Sequence, residues 1–382
     1  MRLSKLELWR FRNYEYAALH FPGSLNLFVG ENAQGKTNLL EAIYLLALGR
    51  SHRTTRETDM IAWGSDEARV RAEVERELGS LRIETTLRRT GGRETRIGQE
   101  PVRRLTDLLG HVNVVVFAPD DLQLVKGAPA LRRRFLDIEI AQVSPAYRYH
   151  FARYQRVLRQ RNNLLRAVQG GQAHPDQLEP WNAQLVHDGA RIVVKRSQVV
   201  RRLSQWSGAM HRAITGGREE LRLLYRPFFA AEAGEPAPWW EEVAGVEQAF
   251  WQAIAAMRKE EIARATTLVG PQRDDIAFFA GDTDLRYFGS QGQQRTAVLS
   301  CKLAELEFMK EETGEYPILL LDDVMSELDA ARRAHFLKTV TGKINTFITT
   351  TDLQLFSAEI VREASVFAVR AGTVTEVGKP GA

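Results

Sequence analysis

Residues 25–37 read Leu25-Asn26-Leu27-Phe28-Val29-Gly30-Glu31-Asn32-Ala33-Gln34-Gly35-Lys36-Thr37: an apolar run, a glycine-bounded loop, then the start of an amphipathic run reaching Leu48. Residues 30–37 match GxxxxGK[ST] in the strand–loop–helix order that a phosphate-binding loop requires. Gly30 and Gly35 let backbone N–H groups close around a β-phosphate, at a helix N-terminus whose dipole favours anions. Lys36 would neutralise β- and γ-phosphate oxygens, and the Thr37 hydroxyl would ligate Mg²⁺. ATP with Mg²⁺ is therefore the expected cofactor, and an accidental glycine-rich turn is the competing reading.

Two elements far downstream support the first. Ile318-Leu319-Leu320-Leu321 ends in Asp322-Asp323, the pattern of a buried strand delivering carboxylates to the C-terminal edge of a sheet, where α/β sites lie. Asp322 is expected to reach Mg²⁺ through its water shell. Asp323 stands where a catalytic base would polarise an attacking water. Alone, an apolar strand capped by Asp is ordinary structure. The other element is Phe288-Gly289-Ser290-Gln291-Gly292-Gln293-Gln294-Arg295, entering a helix. Its Ser-x-Gly-Gln turn offers an anion a hydroxyl, backbone amides and a helix dipole. Ser290 equally suits a plain helix N-cap.

Outward from these motifs, residues 3–9 and short pieces of 19–29 read as strands. So do 70–74, 81–87 before the turn at Gly91-Gly92, and 112–117, which Pro119 closes. From about Ala128 the pattern turns helical. Tyr147, Phe151, Tyr154, Leu158 and Leu165 form an apolar stripe that Arg161 interrupts. Another helix begins near Trp181, 232–238 reads as a loop, and a further helix covers about 240–266. Strand-like 276–280, a helix at about 293–310, strand 318–321, a helix at 330–340 and extended 346–350 follow. The prediction is an α/β fold: one ATPase-type domain made of 1–127 and 269–382, each lacking a complete sheet, split by a helical, arginine-rich insertion at 128–268.

Composition narrows the class. With 382 residues, 44% hydrophobic and 26% charged, disordered and fibrous classes are excluded. The longest apolar runs fall far short of the roughly 20 residues that cross a bilayer. Residues 1–7 carry charges where a signal peptide has its apolar core. The lone Cys301 can form neither an internal disulfide nor a cysteine zinc site, which fits a reducing, cytoplasmic setting without membrane partners. The eight histidines show no metal-ligand spacing, so no metal beyond nucleotide-bound Mg²⁺ is expected. Net charge is only +4, but nine arginines face two acids over 131–171, and nine basic residues face two acids over 191–226. Over 231–261 the sign reverses, with seven acids against two bases. Such clustering suits the DNA backbone. It suits solvated helix faces, or ion pairs between Arg132-Arg133-Arg134 and the acidic stretch, equally well.

The order of the loop at 30–37, Ser-x-Gly-Gln, hydrophobic-Asp-Asp and Ser326-Glu327-Leu328-Asp329 resembles an ABC-type ATPase head. More narrowly, the chain is similar to the RecF family of bacterial recombination proteins, SMC-like heads without a long coiled coil. The resemblance runs through Phe11-Arg12-Asn13-Tyr14, 30–38, 40–43, 49–54, Lys126-Gly127, 132–137, 270–275, 290–295 and 319–329. It implies ATP sandwiched between two heads, a homodimer formed on ATP. Ser290, with Gly292 and Gln293, would face the γ-phosphate of the other copy, and Asp329 would line the seam. Arg12, Asn13, Asn32 and Asn38 would join Gly30, Gly35, Lys36, Thr37 and Asp322 around the nucleotide, with Arg53 near the phosphates. The implied work is repair of double-stranded DNA near single-strand gaps in the nucleoid, helping RecO and RecR load RecA. Roles in replication-fork maintenance and SOS induction are implied as well.

Three departures from the ABC pattern bear on catalysis. Asp323 replaces the usual Glu. Thr349-Thr350-Thr351-Asp352 stands where many heads carry a switch histidine, leaving Thr351 or Asp352 to position water. Gln123 lies near the Q-loop region, but Pro119-Asp120 occupies the family-like spot. A weak, DNA-stimulated ATPase is therefore expected, with ATP acting mainly as a dimerising ligand. Two other functions compete. A phosphotransferase for a small molecule would be a monomer with a lid and gives residues 290–293 no role. A transporter's nucleotide subunit would need a recognisable Q-loop and no arginine-rich insertion.

Overall fold

The computed structural model describes residues 1–230 and 237–377. The chain forms two compact units, Met1–Asp121 with Glu305–Ala382, and Leu122–Ala304.

The first unit holds two six-stranded sheets. One is antiparallel, in the order β2-β1-β4-β5-β6-β7, from β1 (Arg2–Phe11), β2 (Tyr14–His20), β4 (Glu67–Arg76), β5 (Gly79–Arg88), β6 (Arg93–Ile97) and β7 (Glu100–Pro101). Its strands alternate as a half-buried sheet should: Ala68, Val70, Ala72 and Val74 of β4 are buried, and the charged residues between them are not. The other sheet runs β15-β14-β3-β13-β12-β8. It comprises β3 (Leu25–Val29), β8 (Val114–Phe117), β12 (Ile318–Asp322), β13 (Thr346–Thr350), β14 (Ser365–Arg370) and β15 (Thr373–Val377). All its pairings are parallel except the β14–β15 hairpin. Its central strands are buried on both faces, as crossover-connected parallel strands are. Phe21, Phe28, Phe347 and Phe367 pack together, with Phe21 edge-on to Phe347 at 4.9 Å.

Helix α1 (Lys36–Leu48) contacts strands of both sheets. Residues 39–48 are consequently all buried, Glu41 included, so the helix is covered on every side there rather than showing the polar face expected of an amphipathic run. The parallel order gathers the ends of β3, β12 and β13 at one sheet edge, which places residues 30, 322 and 350 side by side.

The second unit contains α2 (Pro129–Val143), α3 (Pro145–Gln169), α4 (Glu179–Thr215) and α5 (Val243–Ala263). It also has a three-stranded antiparallel sheet, β11-β10-β9, made of β9 (Leu221–Arg226), β10 (Asp275–Ala280) and β11 (Thr283–Asp284). Helix α6 (Gln291–Thr313) starts in this unit, and α7 (Ala330–Val340) belongs to the first. The insertion is thus not wholly helical. Strand β9 pairs with β10 from Leu221↔Ala280 to Arg226↔Asp275, because Leu221, Leu223 and Tyr225 alternate inward. That pairing puts residues 269–304 in the insertion's compact unit, whereas the sequence grouped 269–382 with the head.

Arg161, which interrupts the apolar stripe of α3, is buried and satisfied. It pairs with Glu261 at 2.6 Å and donates to Asn182 Oδ1 and Thr267 Oγ1, each at 2.8 Å. The loop expected at 232–238 lies, apart from its last two residues, outside the described residues. Among the described residues no helix is long and apolar enough to cross a membrane.

Candidate functional site

Strand β3 leads straight into the loop at 30–37. Gly30 N donates to Thr350 O at 3.3 Å, and a Cβ at Gly30 would lie 2.3 Å from Val369 O, so only glycine fits. Gly35 has φ +116°, a backbone that side chains avoid, and Tyr14 Oη donates to its carbonyl at 3.0 Å. Gly35 is also the N-cap of α1 and supplies no side-chain cap. The first amides of α1 therefore remain available to an anion. Lys36 folds back over the loop, its Nζ donating to Gly30 O at 2.6 Å and Glu31 O at 2.7 Å. Burial lowers the Lys36 pKa, against the pull of Asp323 and Asp322. Asn32 is exposed at the loop's tip.

Thr37 Oγ1 donates to Asp322 Oδ1 at 2.8 Å, joining α1 to the end of β12. The sequence placed both at Mg²⁺, and the structure brings them together. A hydroxyl beside a carboxylate is a hard-oxygen donor set that fits Mg²⁺, which takes few protein ligands and completes its shell with phosphate and water. Asp323 has φ +54°. Burial raises its carboxyl pKa and Lys36 opposes the rise.

Thr349, not singled out in the sequence, holds this pair in place. It is fully buried; its Oγ1 donates to Asp322 Oδ1 and accepts from Asp323 N, both at 2.9 Å. Thr351 and Asp352, expected to position water, are exposed, and the Asp352 carboxylate accepts from Gln354 N. The signal that could have found Thr349 is its place at the end of a buried β-branched strand beside the Asp322 strand.

A second layer braces the loop. Asn13 Nδ2 donates to Gln34 O at 2.9 Å, Asn38 Nδ2 donates to Asn13 Oδ1 at 2.8 Å, and Arg53 Nη1 donates to Asn38 Oδ1 at 2.8 Å. Arg12 is occupied elsewhere. Its guanidinium grips buried Glu41 through two bonds of 2.7 and 2.6 Å and donates to Asp59 O at 2.7 Å. Ser51 also donates to Glu41. Burial pushes the Glu41 pKa up, but the Arg12 and Ser51 bonds outweigh it and hold the carboxyl below its ordinary value. His52, edge-on to Tyr44 at 5.0 Å, has its pKa lowered by burial.

Ser290, Gly292 and Gln293 lie in the second unit, as does Gln123, exposed on the short helix Gln123–Lys126. Ser290 is exposed and caps α6: Gln293 N donates to its Oγ at 3.2 Å and its own N donates to Gln293 Oε1 at 2.9 Å. This reciprocal capping box realises the plain structural reading of Ser290 and leaves its hydroxyl at a helix N-terminus. Asp329 likewise caps α7, accepting from Arg332 N at 2.9 Å.

Much of the insertion's positive charge is internal. Arg132 pairs with Asp275 at 2.6 Å, Arg133 donates to Asp274 O at 2.7 Å, and Arg196 pairs with Asp137 and Asp274. The acidic stretch instead engages Arg161, Arg191 and Arg201. Arg134, Arg156 and Arg159 stay exposed. His150, His187 and Asp188 bring ligand atoms within 4.8 Å of one another, a grouping the histidine spacing did not suggest because His150 comes from α3. Arg153 Nε lies 3.1 Å from Asp188 Oδ2 and Arg191 Nη1 3.1 Å from His187 Nδ1, so guanidinium groups already occupy it.

The family model for the RecF/RecN/SMC N-terminal domain matches residues 2–375. The chain is 44% identical over 375 residues to a DNA replication and repair protein RecF of Geobacillus thermodenitrificans, covering 98% of this chain and 99% of that one. It is 42% identical over 375 residues to one of Bacillus mycoides, covering 98% of each. Among solved structures, the recombination mediator protein RecF with ATP in the RecFOR pathway aligns with TM-score 0.87 at 31% identity, over 99% of this chain and 98% of that one. An Smc head bound to the C-terminal winged-helix domain of ScpA aligns with TM-score 0.57 at 16% identity, over 99% and 97% of the two chains, a likeness of fold alone.

Proposed function

The chain belongs to the RecF family of DNA replication and repair proteins, and from that membership we propose that it is an ATP-gated DNA clamp. ATP binds the loop at 30–37 with Mg²⁺ at Thr37 and Asp322, and two copies close around the nucleotide. The observation that supports this reading is the Thr37–Asp322 bond of 2.8 Å, which puts a hydroxyl and a carboxylate side by side next to the loop at 30–37, where they would hold Mg²⁺. Bound ATP supplies the triphosphate charge that holds the assembly, and Mg²⁺ neutralises part of that charge.

The chain's own groups divide the remaining work. Lys36 exchanges its carbonyl partners for phosphate oxygens. Arg53, Asn38 and Asn13 keep the loop in register. Asp323, whose carboxyl pKa burial raises, accepts a proton from the attacking water, while Thr349 fixes its backbone. Ser290, exposed at the N-terminus of α6, reaches the γ-phosphate of a second copy. Since ATP then binds the dimer better than the monomer, it drives assembly by mass action. Arg156 and Arg159, exposed on α3, contact duplex phosphates near a single-strand gap without reading bases. In the cytoplasm the clamp works with RecO and RecR to load RecA, with slow hydrolysis resetting it.

Light scattering after size exclusion, with ATP, with ADP and with added gapped duplex, tests the reading. Dimers are expected with ATP alone, and Lys36→Met should lose both nucleotide binding and dimers. A monomer under every condition refutes the clamp.

A further inference from the structure

The turn that caps α6 is held from outside by a residue no motif contains. Gln293 has one amide group and two neighbours for it. Its Oε1 accepts from Ser290 N at 2.9 Å, and its Nε2 donates to Glu219 Oε1 at 3.0 Å. A carboxylate only accepts, so Glu219 obliges the amide to present its NH₂ on that side. The oxygen is then left facing Ser290 N–H. Reversing the amide would set NH₂ against N–H at Ser290 and open the capping box. Glu219 thereby selects the one orientation of Gln293 that locks Ser290.

Glu219 is itself fixed by the end of α4. That helix stops at Gly216, φ +65°, followed by Gly217, φ +79°. The chain then turns into β9, where Glu220 O accepts from Gly281 N at 2.9 Å. The other carboxylate oxygen of Glu219, Oε2, lies 3.4 Å from Nε2 of buried His211, on the last turns of α4. His211 Nδ1 in turn lies 3.2 Å from Ser300 Oγ on α6. The end of α4 is therefore joined to α6 at two points, through Glu219 to Gln293 in the first turn and through His211 to Ser300 further along.

We infer that Glu219 is a positioning residue for the Ser290–Gln293 turn, tying the C-terminal end of the arginine-bearing helix α4 to the group that reaches the second copy's nucleotide. The inference rests on the trans role proposed for Ser290. Three substitutions separate positioning from charge. Glu219→Gln keeps an acceptor for Gln293 and should dimerise on ATP within about threefold of the unaltered chain. Glu219→Ala removes one hydrogen bond to a charged group and should weaken dimerisation about tenfold. Glu219→Lys presents only donors, favours the reversed amide and should weaken it further. A pure charge effect predicts the opposite for lysine, because a cation near a triphosphate strengthens assembly.

Sedimentation equilibrium over a range of protein concentrations reads dimerisation. A fluorescent ATP analogue, used below the dimerisation range, reads affinity, which should stay within twofold in all three variants. Wild-type dimerisation in both Glu219→Ala and Glu219→Lys overturns the inference, as does a parallel loss of nucleotide affinity and melting temperature. Ser290→Arg run alongside keeps the two ideas apart. If it still dimerises, the trans role of Ser290 falls and this inference with it. If it blocks pairing while Glu219→Ala does not, only the role of Glu219 falls.

Discussion

Replacing Arg12 by methionine should destabilise the first unit by about 3 kcal/mol, the low end of what breaking a buried ion pair costs. The figure follows from the geometry. Glu41 is 0% exposed and receives two of the Arg12 donors at 2.7 and 2.6 Å. Without them its charge keeps, among the described residues, the Ser51 hydroxyl and Arg53, 3.8 Å away. In a unit of about 200 residues, that loss lowers the melting temperature by roughly 6–12 °C. Replacing the pair together, Arg12→Met with Glu41→Leu, removes both charges and should recover most of the loss, since an apolar pair of similar volume is often as stable as the ions it replaces.

The pH dependence has a definite sign. Glu41 titrates below its ordinary value of 4.5 when folded. Its contribution is present above that value and is lost as pH falls through the lower, folded one. The unaltered chain should therefore lose its melting advantage over Arg12→Met under acid conditions. Differential scanning calorimetry at a series of pH values measures this, with ATP binding followed separately. An unchanged melting temperature for Arg12→Met refutes the brace. So does a paired variant no more stable than the single one. An Arg12 that touched nucleotide directly would instead leave ATP affinity low in the paired variant.

Thr349→Val keeps the shape but removes the donor to Asp322 and the acceptor for Asp323 N, and turnover should fall at least tenfold with ATP affinity nearly unchanged; full turnover would remove Thr349 from the site. Asp323→Asn should retain the ATP dimer while suppressing phosphate release, and unimpaired hydrolysis would dismiss Asp323 as base. Arg156→Glu with Arg159→Glu should weaken duplex binding evenly across sequences and lower the salt slope of log affinity by about 2, as expected for two lost phosphate contacts. An unaltered slope would place the duplex elsewhere.

The meeting of Thr37 with Asp322 was readable because its parts are contiguous: a loop of eight residues and a strand ending in two acids. What escaped depends on partners distant in the chain. Arg161 read as a flaw in a stripe because Glu261 is 100 residues away. Arg132 counted toward a basic surface, yet its partner Asp275 lies 143 residues on. Charge is visible in a sequence; burial is not. Helix α1 read as amphipathic because one helix cannot reveal that sheets will cover two of its faces. Thr349 was passed over beside Thr351 and Asp352, since only the β12–β13 register, Asp322↔Thr349, decides which hydroxyl meets the acid.

The pairing of β9 with β10 has a practical consequence for anyone trimming this chain. Excising 128–268 as a self-contained module would take Leu221–Arg226 with it and leave Phe278 and Ile276 without their cross-strand neighbours Leu223 and Tyr225. A bare edge would then end ten residues ahead of Ser290, inviting sticky self-association. A shortened version meant to stay monodisperse needs those six residues carried along, grafted through a short tether onto the far side of β10.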